Sequence, residues 1–86
     1  MDLKDLRNEI DAIDEELVKL FCQRMDVAGR VANFKKANNL PVLDASREEA
    51  KLQDVMGKAT PEMAEYVRQL YKTLFELSRN YQETLL

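Results

Sequence analysis

Apolar residues recur along the first part of the chain at alternating steps of three and four, the spacing of one face of a long helix. They are Leu3, Leu6, Ile10, Ile13, Leu17, Leu20, Val27, Val31 and Phe34, and we call them the apolar seam. A helix of about 36 residues is roughly 54 Å long. A compact chain of 86 residues has a radius of gyration of only about 12 Å. One chain cannot cover the whole seam, so the sequence predicts a homodimer.

One position of the apolar seam, between Leu20 and Val27, holds Arg24 instead of an apolar residue. A guanidinium keeps its proton at any ordinary pH and must be paired or solvated wherever it lies. An arginine in this position therefore predicts an anion beside it, which is either a carboxylate of the protein or a ligand.

We predict an all-α fold, with residues 1–86 forming a single domain of three helices. The predicted helices span residues 2–38, 44–57 and 60–84. The first should end at Asn38 and Asn39, because both are poor helix formers and a proline follows closely.

The second and third helices are placed by their capping residues. Either Asp44 or Ser46 can cap the second helix, and Ser46 with Glu49 has the spacing of a capping box. Gly57 is its predicted end. The run 60–62 (Thr-Pro-Glu) is typical of a helix start, with a cap, a proline in the first turn and an acid near the dipole's positive end.

Composition excludes several classes of function. The net charge is −3 and no basic stripe is present, which argues against a nucleic-acid partner. Histidine is absent, so catalysis by Ser–His or Cys–His pairs and a His-based metal site are excluded. The single cysteine, Cys22, cannot form an internal disulfide and suits the cytoplasm. No apolar run is long enough to span a membrane, and the first residues do not resemble a signal peptide.

Two cations of the first helix share a face. Arg24 and Lys35 are eleven positions apart, which places them about 20° apart around the helix and roughly 16 Å apart along it. They are therefore able to bracket one small ligand. Arg7 is about 25 Å from Arg24 along the axis. It is either a solvated surface charge or a contributor to a site in the partner chain.

Further polar residues lie at helical spacing in the second and third helices. Asp44 and Glu48 are four residues apart with Arg47 beside them, and Ser78 and Gln82 are also four apart. Each group alone is compatible with an ordinary solvated helix surface. Together they describe a pocket with several cations, one carboxylate and neutral hydrogen-bond donors, but without a nucleophile or metal ligands.

These residues, in this order and spacing, resemble the all-helical class of chorismate mutases. The resemblance rests on residues 6–11 (Leu-Arg-Asn-Glu-Ile-Asp), Gln23-Arg24, Lys35, residues 41–44 (Pro-Val-Leu-Asp), Arg47-Glu48, and Ser78 with Gln82. It implies an intertwined homodimer of three-helix chains whose very long first helices pack together. It also implies an isomerase that rearranges chorismate to prephenate in phenylalanine and tyrosine biosynthesis, a pericyclic reaction that requires no cofactor and no metal.

The resemblance further implies a role for each residue of the site. Arg24 and the partner's Arg7 would hold the two carboxylates of chorismate. Lys35 and Gln82 would donate to its ether oxygen, and Glu48 would accept from its ring hydroxyl. The remaining implied contacts are Arg47, the backbone of Asp44, and Ser78.

Two other functions are compatible with the sequence, as is a mutase that is poorly active until another enzyme activates it. A related enzyme on the same fold removes pyruvate from isochorismate with a similar cationic site. Alternatively, the chain is a non-catalytic helical dimerisation module in which Arg24 pairs with a protein carboxylate such as Glu48. The products formed from chorismate and isochorismate would distinguish these possibilities.

Overall fold

The computed structural model describes residues 2–86, so Met1, the first residue of the predicted domain, lies outside the described part. Within residues 2–86 the chain forms three α-helices and no strand, which confirms the all-α prediction. The helices are α1 (Leu3–Ala37), α2 (Ala45–Lys58) and α3 (Ala64–Thr84). None of them is long and apolar enough to cross a membrane.

Both ends of α1 are capped by local hydrogen bonds. At the start, the Asp2 carboxylate accepts from the backbone N–H of Asp5, and the Asp5 carboxylate accepts in return from that of Asp2. At the end, Asn39 has a positive φ of 56°, which asparagine tolerates better than most residues. The backbone N–H of Leu40 then reaches the Lys35 carbonyl at 2.8 Å. This Schellman geometry turns the chain sharply toward α2.

Of the two predicted caps of α2, Asp44 is the one that the structure confirms. Asp44 is the N-cap, with its carboxylate accepting from the backbone N–H of Arg47, and the Ser46 hydroxyl donates to that same carboxylate. The prediction of a Ser46–Glu49 capping box is therefore wrong. The Glu49 carboxylate accepts a hydrogen bond from the Gln53 side chain instead. Gly57 does not end the helix either. Its φ is not positive, and α2 continues to Lys58.

The third helix begins later than the Thr60-Pro61-Glu62 motif predicts. The carbonyl of Thr60 accepts from the backbone N–H groups of both Met63 and Ala64, each at 3.0 Å. Sharing one carbonyl tightens this turn, so regular helix starts only at Ala64. Pro61 is compatible with such a turn, because an N–H group at this position would have no hydrogen-bond partner within the helix.

The third helix packs against both of the others. Arg24 of α1 lies beside Tyr71 and Phe75 of α3, whereas Gly29 lies beside Tyr81. The two helices therefore run in the same direction. Gly29 permits this approach, since an added Cβ would lie 3.3 Å from Cε2 of Tyr81.

The buried core of one chain is small. It consists of Ala28, Ala32, Val42, Leu52, Val55 and Phe75. Six residues of the apolar seam, from Leu3 to Leu20, remain 45% to 60% exposed. The molecule is 54 Å in its longest dimension and 15 Å in its shortest. It is this long because the first half of α1 projects beyond α2 and α3. Nothing else in residues 2–86 covers this half of α1.

Candidate functional site

A cavity of about 490 Å³ opens between the second half of α1, the start of α2 and the end of α3. We call it the candidate site. Its apolar wall comes from α1, Val42 and Phe75. Seven of the eight residues predicted from the sequence line it: Arg24, Lys35, Asp44, Arg47, Glu48, Ser78 and Gln82. The structure thus brings together residues from all three helices.

Arg24 enters the candidate site across an aromatic surface. Its guanidinium carbon lies 5.9 Å from the ring centroid of Tyr71 and 5.9 Å from that of Phe75. Within residues 2–86, none of the ion pairs involves Arg24. Aromatic faces attract a cation only weakly, so the hydrogen-bond donors of Arg24 are available to an anion in the cavity.

Lys35 is held by the segment that connects α1 and α2. Its ammonium donates to the Val42 carbonyl at 2.7 Å in a partly buried position. An ammonium has three donors, so two others can reach a ligand. The same bond fixes Val42 and the start of α2 over the cavity.

The first turn of α2 carries three of the predicted residues. The pKa of Asp44 is lowered chiefly by the hydrogen bond that its carboxylate accepts from the backbone N–H of Arg47. The hydrogen bond from the Ser46 hydroxyl has the next largest effect. Lys35 lowers the pKa of Asp44 further through its charge. These hydrogen bonds hold the turn, and the side chains of Arg47 and Glu48 that follow it line the cavity.

Glu48 is paired with a residue that the sequence analysis missed. Nη1 of Arg79 lies 2.5 Å from Oε1 and 2.6 Å from Oε2 of Glu48, and both side chains are partly buried. Arg79 also lines the candidate site. It precedes Gln82 by three positions, so its helical spacing to Gln82 could have identified it.

Gln82 is the most buried polar residue of the site, with 7% of its surface exposed. Its amide nitrogen donates to the Ser78 hydroxyl at 3.1 Å. Within residues 2–86 its Oε1 is buried and has no hydrogen-bond partner. An unpaired buried polar atom costs free energy, so its presence here needs a physical reason.

Arg7 is the predicted residue that the structure does not bring to this cavity. It lies on the exposed first half of α1, roughly 25 Å along the helix from Arg24.

Charges in the candidate site are unbalanced. The lining cations are Arg24, Lys35, Arg47, Lys51 and Arg79, and the lining carboxylates are Asp44 and Glu48. This excess of cations contrasts with the net charge of −3 of the whole chain. Across residues 2–86, the Cys, Asp and Glu side chains form no cluster that would hold a metal ion. The arrangement therefore favours a small anion as the ligand.

Comparison with known families identifies the chain. The family model of chorismate mutase type II matches residues 6–83. The chain belongs to the chorismate mutase type II family. The match extends over all of α2 and nearly all of α1 and α3, so the resemblance read from the sequence is confirmed.

Relatives of this chorismate mutase family member are larger proteins, and the chain matches only a part of each. The bifunctional chorismate mutase/prephenate dehydratase of Enterobacter agglomerans is 37% identical over 83 residues, which cover 94% of this chain and 21% of the relative. That of Escherichia coli K12 is 35% identical over 83 residues, covering 94% and 22%. The T-protein of Haemophilus influenzae is 45% identical over 51 residues, covering 59% and 14%. The chain thus spans about a fifth or less of these relatives' length.

Proposed function

We propose that this chain rearranges chorismate to prephenate, the step that leads toward phenylalanine and tyrosine. The observation that carries this proposal is the convergence of Arg24, Lys35, Glu48 and Gln82 on one cation-rich cavity. Chorismate is a dicarboxylate with a ring hydroxyl and an ether oxygen, so the cavity offers a complementary group for each of its polar features.

Binding selects the shape of the substrate in this proposal. Arg24 holds one carboxylate, the partner's Arg7 holds the other, and Arg47 supports the site from α2. Glu48 accepts a hydrogen bond from the ring hydroxyl. Fixing both ends of the molecule in a compact conformer removes much of the entropic part of the barrier to a unimolecular rearrangement.

Stabilisation of the charge that develops during the reaction lowers the remaining part of the barrier. As the C–O bond breaks, negative charge grows on the ether oxygen. Lys35 has two free N–H donors, and the buried Gln82 lines the same cavity. Donors that are already oriented, in a site with little water, bind that oxygen more tightly in the transition state than in the ground state.

The orientation of the Gln82 amide determines how it donates. Its nitrogen now donates to Ser78 while its oxygen has no partner. If the amide turns by half a rotation, the Ser78 hydroxyl donates to Oε1 and both N–H groups become available to the ligand. We propose that this second orientation is the one adopted with substrate, and that Ser78 fixes it.

We also propose that the active form is an intertwined homodimer in the cytoplasm. The exposed half of the apolar seam supports the dimer, since a solvated stripe of this length is unusual for a monomer. A second copy packed on it would bring its Arg7 to the candidate site. The exposed free thiol of Cys22 suits a reducing compartment.

Ion pairing inside the chain disfavours the non-catalytic dimerisation module. That interpretation requires a protein carboxylate for Arg24, with Glu48 as the expected partner. Glu48 is bound by Arg79 instead. The isochorismate lyase alternative predicts a similar cavity, so only chemistry separates it from the mutase.

The test is to incubate the purified chain separately with chorismate and with isochorismate and to identify the products. Prephenate formed from chorismate supports the proposed function. Pyruvate released from isochorismate, with chorismate unchanged, would support the lyase. A folded chain that transforms neither compound would refute the proposal.

A further inference from the structure

Arg79 reaches from α3 to α2 and has no role in the scheme above. One of its nitrogens, Nη1, contacts both oxygens of the Glu48 carboxylate. The side chain of Arg79 is 33% exposed and that of Glu48 is 25% exposed, so water screens the pair only in part. This is the one ion pair within residues 2–86 that joins two different helices.

The geometry leaves Glu48 able to bind a ligand. Each oxygen of an ionised carboxylate accepts about two hydrogen bonds, and Arg79 uses one acceptor position on each. The remaining positions can accept from a hydroxyl in the cavity. Because the same nitrogen contacts both oxygens, the rotation of the carboxylate about its last bond is restricted.

Charge gives Arg79 a second effect. A lone carboxylate in the cavity would repel a ligand that carries two carboxylates, because like charges at close range in a partly desolvated site interact strongly. Pairing with Arg79 cancels that charge while keeping the hydrogen-bond acceptors. Glu48 can then recognise a hydroxyl without weakening the binding of a dianion.

We propose that Arg79 is a positioning residue that acts through Glu48: it orients the carboxylate toward the ring hydroxyl of the substrate and neutralises its charge. The proposal rests on the proposed function. It predicts that Arg79 determines how strongly the enzyme prefers a substrate that carries the ring hydroxyl.

The first experiment is a double-mutant cycle measured with chorismate. Arg79→Met should lower kcat/KM about 10- to 100-fold, the size typical of residues that orient a site's contact groups. In the Glu48→Gln background, the same substitution should cost less than about threefold, because residues that act through one another are not additive. Arg68→Met is the matched control. Arg68 lies on the same helix and pairs with Glu65, and it does not line the candidate site.

The second experiment compares chorismate with its analogue that lacks the ring hydroxyl. Wild type should prefer chorismate, and Arg79→Met should reduce the ratio of the two kcat/KM values toward that of Glu48→Gln. Arg79→Lys keeps the charge without the planar guanidinium, so it should restore part of the ratio. A residue needed only for folding would lower both rates and leave the ratio unchanged.

The outcomes separate the two proposals. A wild-type chain that is inactive on chorismate refutes the proposed function. Active wild type with additive losses in Arg79→Met and Glu48→Gln, or with an unchanged analogue ratio, overturns the role of Arg79. If Arg79→Met does not fold, the cycle is run with Arg79→Lys, and additivity there overturns the role equally.

Discussion

At the scale of single residues, Arg24 shows how a charge is kept available in an apolar setting. It lies against two aromatic rings and has no carboxylate partner in residues 2–86. Partial burial of a cation carries a desolvation cost that weak aromatic contacts offset only in part. Such a residue contributes to ligand binding at some cost to the stability of the empty protein.

We therefore expect Arg24→Leu to leave the thermal stability of the substrate-free protein unchanged or raised, because leucine continues the apolar seam. The same change should lower kcat/KM by an amount equivalent to about 3 kcal/mol or more, as for a lost charge-assisted contact in a dry site. Thermal unfolding and steady-state kinetics measure the two effects. Arg30→Leu is the control, since Arg30 is an exposed α1 residue paired with Asp26. A large loss of stability in Arg24→Leu would instead favour a structural role.

A second residue-scale prediction concerns Gln82→Glu. An amide donates hydrogen bonds at any ordinary pH, whereas a carboxylate repels a developing oxyanion until it is protonated. We expect wild-type kcat/KM to be roughly flat from about pH 6 to 8.5, because the chain has no histidine. Gln82→Glu should lose roughly 100-fold at pH 8, as for a lost oxyanion donor, and recover toward acid. Full activity of this variant at pH 8 would show that Gln82 does not contact the ether oxygen.

Seven of the eight predicted residues line the cavity, since helical spacing fixes which side chains share a face. Arg24 and Lys35 could be related to each other without knowing how the helices pack. Arg79 could not be paired with Glu48 in this way, since their contact joins residues 31 positions apart on two helices. The crossing of α2 and α3, which depends on packing at Leu52, Val55 and Phe75, decides that contact.

At the scale of helices, the ends were harder to predict than their number. Capping residues compete over a few positions, and the outcome depends on which hydrogen bonds form together. Asp44 caps α2 because it accepts from both Arg47 and Ser46. Ser46 donates to Asp44 and does not form the capping box that its spacing to Glu49 predicted.

Gly57 provides a test of the observed end of α2. It is exposed, its φ is not positive, and an added Cβ would meet nothing within 4 Å. Gly57→Ala should therefore raise the free energy of unfolding by about 0.5–1 kcal/mol, because alanine loses less backbone entropy in a helix. Gly29→Ala is the matched control, since its Cβ would press on Tyr81 and Leu85 and the gain should shrink or reverse. Denaturant unfolding at one protein concentration measures both. Destabilisation by Gly57→Ala would restore glycine as the required helix end.

At the scale of the whole molecule, one chain has a small core and a long exposed apolar surface. Small domains bury proportionally little surface, and the first half of α1 adds none within the chain. We infer that folding and association occur together. The unfolding temperature should then rise with protein concentration, and sedimentation at decreasing concentration should show dimer followed by unfolded chain. A well-folded monomer at micromolar concentration would contradict this.

The proposed dimer also predicts how two inactive variants behave when they are mixed. In the proposed dimer each site combines Lys35 of one chain with the partner's Arg7. Arg7→Ala and Lys35→Ala should each be inactive as homodimers. In a heterodimer, one site receives both substitutions and the other neither. Random reassembly makes about half of the dimers mixed, each with one intact site out of two, so activity should recover to roughly one quarter of the wild-type value.

The control for this mixing experiment is a pair of variants that affect residues of the same chain in one site. Lys35→Ala mixed with Arg24→Leu should recover nothing, because every site in that heterodimer lacks one of the two cations. Native mass spectrometry verifies that heterodimers have formed in both mixtures. Equal inactivity of the two mixtures, with heterodimers present, would mean that Arg7 does not serve the partner's site. Arg7 would then be needed within its own chain, whereas an active Arg7→Ala homodimer would show that the exposed Arg7 is only a solvated charge.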